Sequence, residues 1–231
     1  MKKGHLIGFT IAFLVGLASF TALGQGKRYI QVHDEFYDEK PVHFGFMFGL
    51  TSSNYFANGF PSVLVNDVTG EPLSLVSPRT FGFQIGGIVN YALSKHVEVK
   101  SGLNIALYDR QIQFANEDLI SRESTWLEIP MLLKFRSVRR QNHRMYLLSG
   151  LKLGLEANVK KKNTAITANT SELSLEYGIG VERFYRFFKF SPEIRISHGL
   201  NNLFVPPGTF NSYSKLSQLK SHTISLIFNF E

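Results

Sequence analysis

Cysteine is absent from the 231 residues, which excludes disulfide scaffolds, Cys-based zinc sites and a lipid-anchored N-terminal cysteine. Long apolar runs are absent too, apart from one near the N-terminus. With a mean hydropathy of −0.03, the chain lacks the several spans of ~20 apolar residues that a polytopic helical membrane protein needs. Charged residues are sparse at 19%, yet aromatics reach 13%, and that combination excludes a disordered chain. No Gly-rich phosphate loop, paired-carboxylate cleft or His-x-x-x-His spacing occurs, so the common catalytic and metal-site signatures are missing. What this composition permits is a membrane β-barrel, whose apolar residues are diluted by alternation.

The one apolar run, Leu6 to Leu23, follows Lys2 and Lys3 and closes on Ala22-Leu23-Gly24. A basic start, an apolar middle and small residues at its end read as a secretory signal over residues 1–24, cleaved between Gly24 and Gln25. The alternative is a retained anchor helix, which Gly16, Ser19 and Thr21 disfavour. Cleavage removes two lysines and no acid, leaving 23 basic against 18 acidic residues, a formal charge of +5. The mature chain is then expected beyond the inner membrane, with no nucleic-acid partner, no small-molecule substrate and no cofactor. Residues 25–41 read as a flexible periplasmic segment and 42–231 as one barrel domain.

From His43 onward the dominant period is two, the signature of strands with one apolar face. Phe44, Phe46, Phe48 and Leu50 alternate with Gly45, Met47 and Gly49 in the first such segment. Seven more follow, with apolar faces at Phe81–Leu93, Val97–Leu107, Leu127–Phe135, Met145–Leu155, Leu173–Val181, Phe188–Leu200 and Ile224–Phe230. No Asp, Glu, Lys or Arg falls on any of these faces. Lipid would purge them, because a Lys or Arg at mid-depth costs ~2–4 kcal/mol, but the dry core of a soluble barrel would do the same. Two further features decide between these. The polar phase carries the small residues (Gly82, Gly86, Gly102, Gly150, Gly154, Gly178, Gly180) while Leu and Phe crowd the apolar one, the reverse of a ligand-binding barrel. Short connections near Ser94–His96, Ser137–His143 and Arg183–Phe187 also alternate with longer ones at Tyr55–Arg79, Ile112–Arg122, Lys160–Ser171 and Asn201–Leu219. The expected fold is therefore all-β, an eight-stranded antiparallel transmembrane β-barrel of the outer-membrane type with both termini periplasmic. Ile224–Phe230 further resembles the aromatic-ended last strand of such barrels. Pro130 and Pro192 fall inside the fourth and seventh strands, where a closed barrel has no free edge, and each is expected at a bulge or near a strand end.

The polar faces carry eight bases (Lys100, Arg110, Lys134, Arg136, Arg144, Lys152, Lys189, Arg195) and seven acids (Glu98, Glu128, Glu156, Glu172, Glu176, Glu182, Glu193). An isolated buried charge is penalised by several kcal/mol, so these side chains are expected to pair into a plug that holds the strands in register. An eight-stranded lumen leaves no aqueous pore, which disfavours the alternative of an ion path. His198 and His222 fall on apolar faces near strand ends, with Ser197 and Ser221 pointing the other way, a poor arrangement for nucleophilic catalysis. His33 with Asp34, Glu35, Asp38 and Glu39 forms an acidic patch without metal-ligand spacing.

Three blocks carry a resemblance. They are Pro41-Val42-His43-Phe44-Gly45, Glu128-Ile129-Pro130-Met131-Leu132-Leu133-Lys134-Phe135, and Phe190-Ser191-Pro192-Glu193-Ile194-Arg195 followed by Gly199-Leu200-Asn201-Asn202. Together they resemble the PorT (also SprT) family of small outer-membrane barrels of Bacteroidota, from about Gly26 to the end. The resemblance implies a non-enzymatic component of the type IX protein secretion system, which exports cargo proteins and supports gliding motility in some members. Its partners would be outer-membrane lipid and other secretion-system proteins. Three other functions stay open: a stand-alone OmpX-like structural or adhesion barrel acting through the Tyr55–Arg79 loop, a lipid hydrolase using His198, and a narrow pore.

Overall fold

The computed structural model describes residues 32–59, 75–114, 120–157, 167–205 and 216–231. The signal segment and its Gly24/Gln25 cleavage point lie outside the described residues. Eight long strands form the fold: β1 (Val42–Gly59), β2 (Thr80–Ala92), β3 (Val97–Phe114), β4 (Ile120–Arg136), β5 (His143–Glu156), β6 (Ser171–Phe184), β7 (Lys189–Gly199) and β8 (Leu216–Phe230). Each pairs antiparallel with its neighbour in sequence, and β8 closes on β1. The result is a closed eight-stranded antiparallel barrel.

Period-two patterning sorts the side chains as the composition of the two phases dictates. Phe44 is 71% exposed, Leu147 57% and Leu153 50%, whereas Lys134 is 1% exposed and Lys152 is buried. Leu, Phe, Ile and Met thus cover the outer wall, and the charges point inward.

The register fixes the barrel's shape. Following Cα partners around the wall runs Asn54, His222, His198, Leu175, Leu151, Met131, Ser101, Val89 and Phe44, returning to β1 ten residues from the start. A stagger of that size in eight strands requires steep tilt and a narrow lumen that side chains can fill. The same curvature explains the inward glycines. A methyl at Gly150 would collide with the Met131 carbonyl oxygen, and one at Gly178 with that of Ile194. At Gly87, on the outward phase, the nearest atom would lie 4.0 Å away.

Two sequence expectations change. Neither proline makes a bulge: the β3–β4 and β6–β7 registers are the same on both sides of Pro130 and Pro192. Each instead interrupts one ladder, leaving Gly102/Leu103 unpaired with β4 and Val181/Glu182 unpaired with β7, while the ladder on its other side continues. A single missing N–H removes pairing on one side only, which a closed barrel tolerates. Pro192 does lie near the start of its strand, and Pro130 lies well inside. The expected long loops are also shorter than read, because β1 continues to Gly59, β3 to Phe114, and β4 and β8 begin at Ile120 and Leu216. Beyond Leu50, Leu107 and Leu127 the outward residues become Ser52, Asp109 and Thr125, so apolar alternation stops while hydrogen bonding goes on.

Gly150→Ala is expected to destabilise the barrel by about 1–3 kcal/mol and to slow its folding, whereas Gly87→Ala leaves both unchanged. Heat-modifiable electrophoretic mobility and urea midpoints of the two variants report the difference.

Candidate functional site

The lumen gathers inward side chains from all eight strands. Fourteen of the charged positions singled out in the sequence are buried there: Glu98, Lys100, Arg110, Glu128, Lys134, Arg136, Arg144, Lys152, Glu172, Glu176, Glu182, Lys189, Glu193 and Arg195. Glu156 is half-buried at the loop end, paired with Arg122 at 2.7 Å.

At the end with short turns, six side chains close a ring. Arg136 bonds Glu98, Lys134 bridges Glu98 (3.1 Å) and Glu182, and Arg144 bonds Glu182. Asp38 completes it, 2.8 Å from Arg144 and 3.2 Å from Arg136. Glu182 also meets Lys189 at 3.2 Å, which contacts Glu231 at 2.8 Å. Higher in the lumen, Lys100 bonds Glu193, and Arg195 bridges Glu193 (2.5 Å) and Glu176 (2.9 Å). Lys152 meets Glu128 at 2.9 Å and Glu176 at 3.8 Å. Near the loops, Arg110 lies 3.5 Å from Glu172 and 4.5 Å from the Tyr108 ring centre. Among the described residues the ion pairs join nine bases to nine acids, a balance that low-dielectric burial demands.

Sequence reasoning missed Asp38, Glu231 and Arg122, which lie outside the apolar alternating segments. The excess of eight bases over seven acids was the available signal. It also missed the inward apolar clusters Met47–Ile88–Ile227 and Leu132–Tyr146–Leu148, where apolar residues occupy both phases and alternation says nothing.

Residues 32–41, read from sequence as flexible, cap the short-turn end. The turn Tyr37–Glu39 inserts Tyr37 into the lumen, leaving it 5% exposed. Its ring stacks on His43 with centroids 3.8 Å apart and meets Phe184 edge-on at 5.2 Å. Its hydroxyl donates to Glu231 Oε2 at 2.8 Å and accepts from Lys189. Burial, then the fields of Glu231 and Glu182, push the Tyr37 phenol far above its usual range, so it remains a donor. Burial works against the Glu231 carboxylate, but Lys189, Lys134 and Lys100 outweigh it and hold that carboxyl at about 2. His33 N–H donates to Asn142 Oδ1 at 2.9 Å, and Arg139 donates to the carbonyls of His33 and Asp34. A Tyr–Asp pair that satisfies an exposed end of the charge network orders this segment.

At the loop end, Asn201 and Asn202 tie three strands together. Asn201 accepts from Leu173 N–H and donates to the Ser171 carbonyl, both at 2.9 Å, while Asn202 Oδ1 accepts from Leu219 N–H at 2.8 Å. His198 and His222 face outward as cross-strand partners, Nδ1 to Nδ1 at 3.0 Å, and Tyr177 Oη lies 3.0 Å from His198 Nε2. Ser197 and Ser221 are buried on the opposite side, so neither is placed as a nucleophile for these histidines. Among the described residues no group of three His, Cys, Asp or Glu is arranged to hold a metal ion.

Residues 18–205 match the family model described as outer membrane protein beta-barrel domain. No curated protein matches the chain. Among solved structures, OprG from Pseudomonas aeruginosa is similar at TM-score 0.42 and 12% identity, over 82% of this chain and 91% of that one. Ail, the attachment invasion locus protein of Yersinia pestis, is similar at TM-score 0.37 and 15% identity, over 83% and 98%.

Removing the Glu182 carboxylate leaves Lys134, Arg144 and Lys189 under-compensated, so Glu182→Ala is expected to cost about 3–5 kcal/mol. Asp38 is 42% exposed, and Asp38→Asn is expected to cost about 1 kcal/mol or less. Urea unfolding in detergent compares the two. The Glu231 carboxyl has its ordinary value of 4.5 in the unfolded chain and about 2 when folded. Its contribution is therefore complete above pH 4.5 and is lost as pH falls from there through 2. The urea midpoint of the wild type should fall further across that window than that of Glu231→Gln.

Proposed function

This chain belongs to the outer membrane protein beta-barrel domain family, and from that premise we propose that it is an accessory, non-enzymatic component of the type IX secretion system. It sits in the outer membrane with its apolar wall against lipid. Both termini and the Tyr37 cap face the periplasm in this reading, and the long loops face outward. The observation that carries the assignment is the block Phe190–Arg195 with Gly199-Leu200-Asn201-Asn202, which resembles the PorT/SprT pattern. Its two asparagines tie the base of the β7–β8 connection to β6 and β8, a reason for that motif to accompany the fold. A lumen filled by paired charges favours a protein that acts through contacts at its ends over one that conducts, because eight strands leave no water path. The charge network then serves as the structural core that keeps those ends in place.

A second reading, a stand-alone structural or adhesion barrel of the OmpX type, draws on the β3–β4 ladder. It continues to Ile112 and Ile120, past the point where outward residues turn polar, and so raises a hydrogen-bonded two-stranded ribbon above the membrane.

Deleting the gene separates the two readings. Under the first, proteins bearing the C-terminal export signal accumulate in the periplasm and a plasmid copy restores their export. Undisturbed export in the deletion strain rejects the secretion role and leaves the adhesion reading.

A further inference from the structure

Every lysine and arginine in the lumen is ion-paired. On the outer wall at the loop end the situation reverses. His222 lies between Asn54 on β1 and His198 on β7, and Lys220, the next outward residue of β8, lies opposite Phe56. Arg79 directly precedes Thr80, whose partner is Ser53, so it borders Asn54 and is close enough for its charge to act on His222. Neither Arg79 nor Lys220 has an acidic partner among the described residues.

The height of this cluster is set by its neighbours. One outward step from His222 and His198 toward the short turns stand Ile224 and Ile196, and Leu175 lies beside His198. Beyond the cluster the outward positions are mixed, with Lys220 opposite an exposed Phe56 and an exposed Leu200 following His198. Unpaired cations and amphipathic rings at the edge of an apolar belt stand at the level of lipid headgroups.

The hydrogen-bond chain adds direction. Only one of two facing Nδ1 atoms at 3.0 Å carries a proton when both imidazoles are neutral. If Tyr177 donates to His198 Nε2, His198 Nδ1–H donates to His222 Nδ1. His222 must then carry its proton on Nε2, the nitrogen outside the pair. The opposite arrangement leaves that nitrogen as an acceptor. An anion held by Arg79 and Lys220 selects the first arrangement, since it can only accept.

We infer that Arg79, Lys220 and His222 bind the phosphate group of a lipid in the leaflet at the loop end, with His198 and Tyr177 as positioning residues that fix the His222 tautomer. Arginine offers a fork to two phosphate oxygens, lysine a point charge, and His222 one directed N–H. This site depends on the lipid-facing wall and not on the secretion role.

Native mass spectrometry of the detergent-solubilised full chain tests it, with monophosphorylated lipid A, the same lipid without its phosphate, and inorganic phosphate as probes. The wild type should retain the phosphorylated lipid about tenfold more strongly than the phosphate-free one. The triple variant Arg79→Gln/Lys220→Gln/His222→Gln should lose that preference, and Tyr177→Phe should lose part of it. Equal retention of both lipids by the wild type, or an undiminished preference in the triple variant, overturns the site. Displacement of the lipid by millimolar inorganic phosphate overturns the lipid assignment in favour of a free anion. Heat-modifiable mobility checks that each variant is folded, and the wild-type comparison of two lipids decides the question even if one is not.

Discussion

A closed wall of eight strands leaves its inward side chains with neither water nor lipid, so each charge that points inward must meet a counter-charge. This constraint organises the molecule. Glu182 receives Lys134, Arg144 and Lys189 from three other strands, and Glu193 receives Lys100 and Arg195. Lys100 and Glu193, and Lys134 and Glu182, lie far apart in the chain, and a strand slipped by one residue would carry its whole charged set to the lipid side. The pairs thus specify register more than they add stability, because much of their mutual attraction offsets the desolvation of burying them.

The same constraint accounts for the two ends. At the short-turn end the network would stop with Arg136, Arg144 and Lys189 facing solvent on one side. Asp38 and Tyr37 enter from the N-terminal segment, and Glu231 from beyond β8, to complete it. At the loop end the lumen closes with Arg110, Glu172, Arg122 and Glu156, while the asparagine pair after β7 holds the backbone of three strands. Among the described residues, the cations without an ion pair lie outside the lumen, where water or headgroups can solvate them.

Glycine plays a second part in the same narrow space. Gly150 and Gly178 stand where a neighbouring strand's carbonyl occupies the position of a Cβ. Large charged side chains fit between them because these positions carry no bulk of their own. The two prolines are accommodated differently, each by giving up pairing on one side while the opposite ladder and the register persist.

Much of this was legible in the sequence. Alternation in segments such as Met145–Leu155 ties each residue's parity to a side of the wall, and the absence of charge from one parity marks the side that meets lipid. Eight such segments with alternating connection lengths suffice for the barrel class. Ladder ends were not legible, because at Ser52, Asp109 and Thr125 the outward face turns polar and the period loses its contrast. Nor was the cap, since Tyr37 and Asp38 belong to no alternating pattern. Sequence by itself determined which side chains face inward, because a strand's geometry is local. Only the tertiary structure decided which charge meets which, the ten-residue stagger and the seat of Tyr37, because those depend on registers summed around a closed ring.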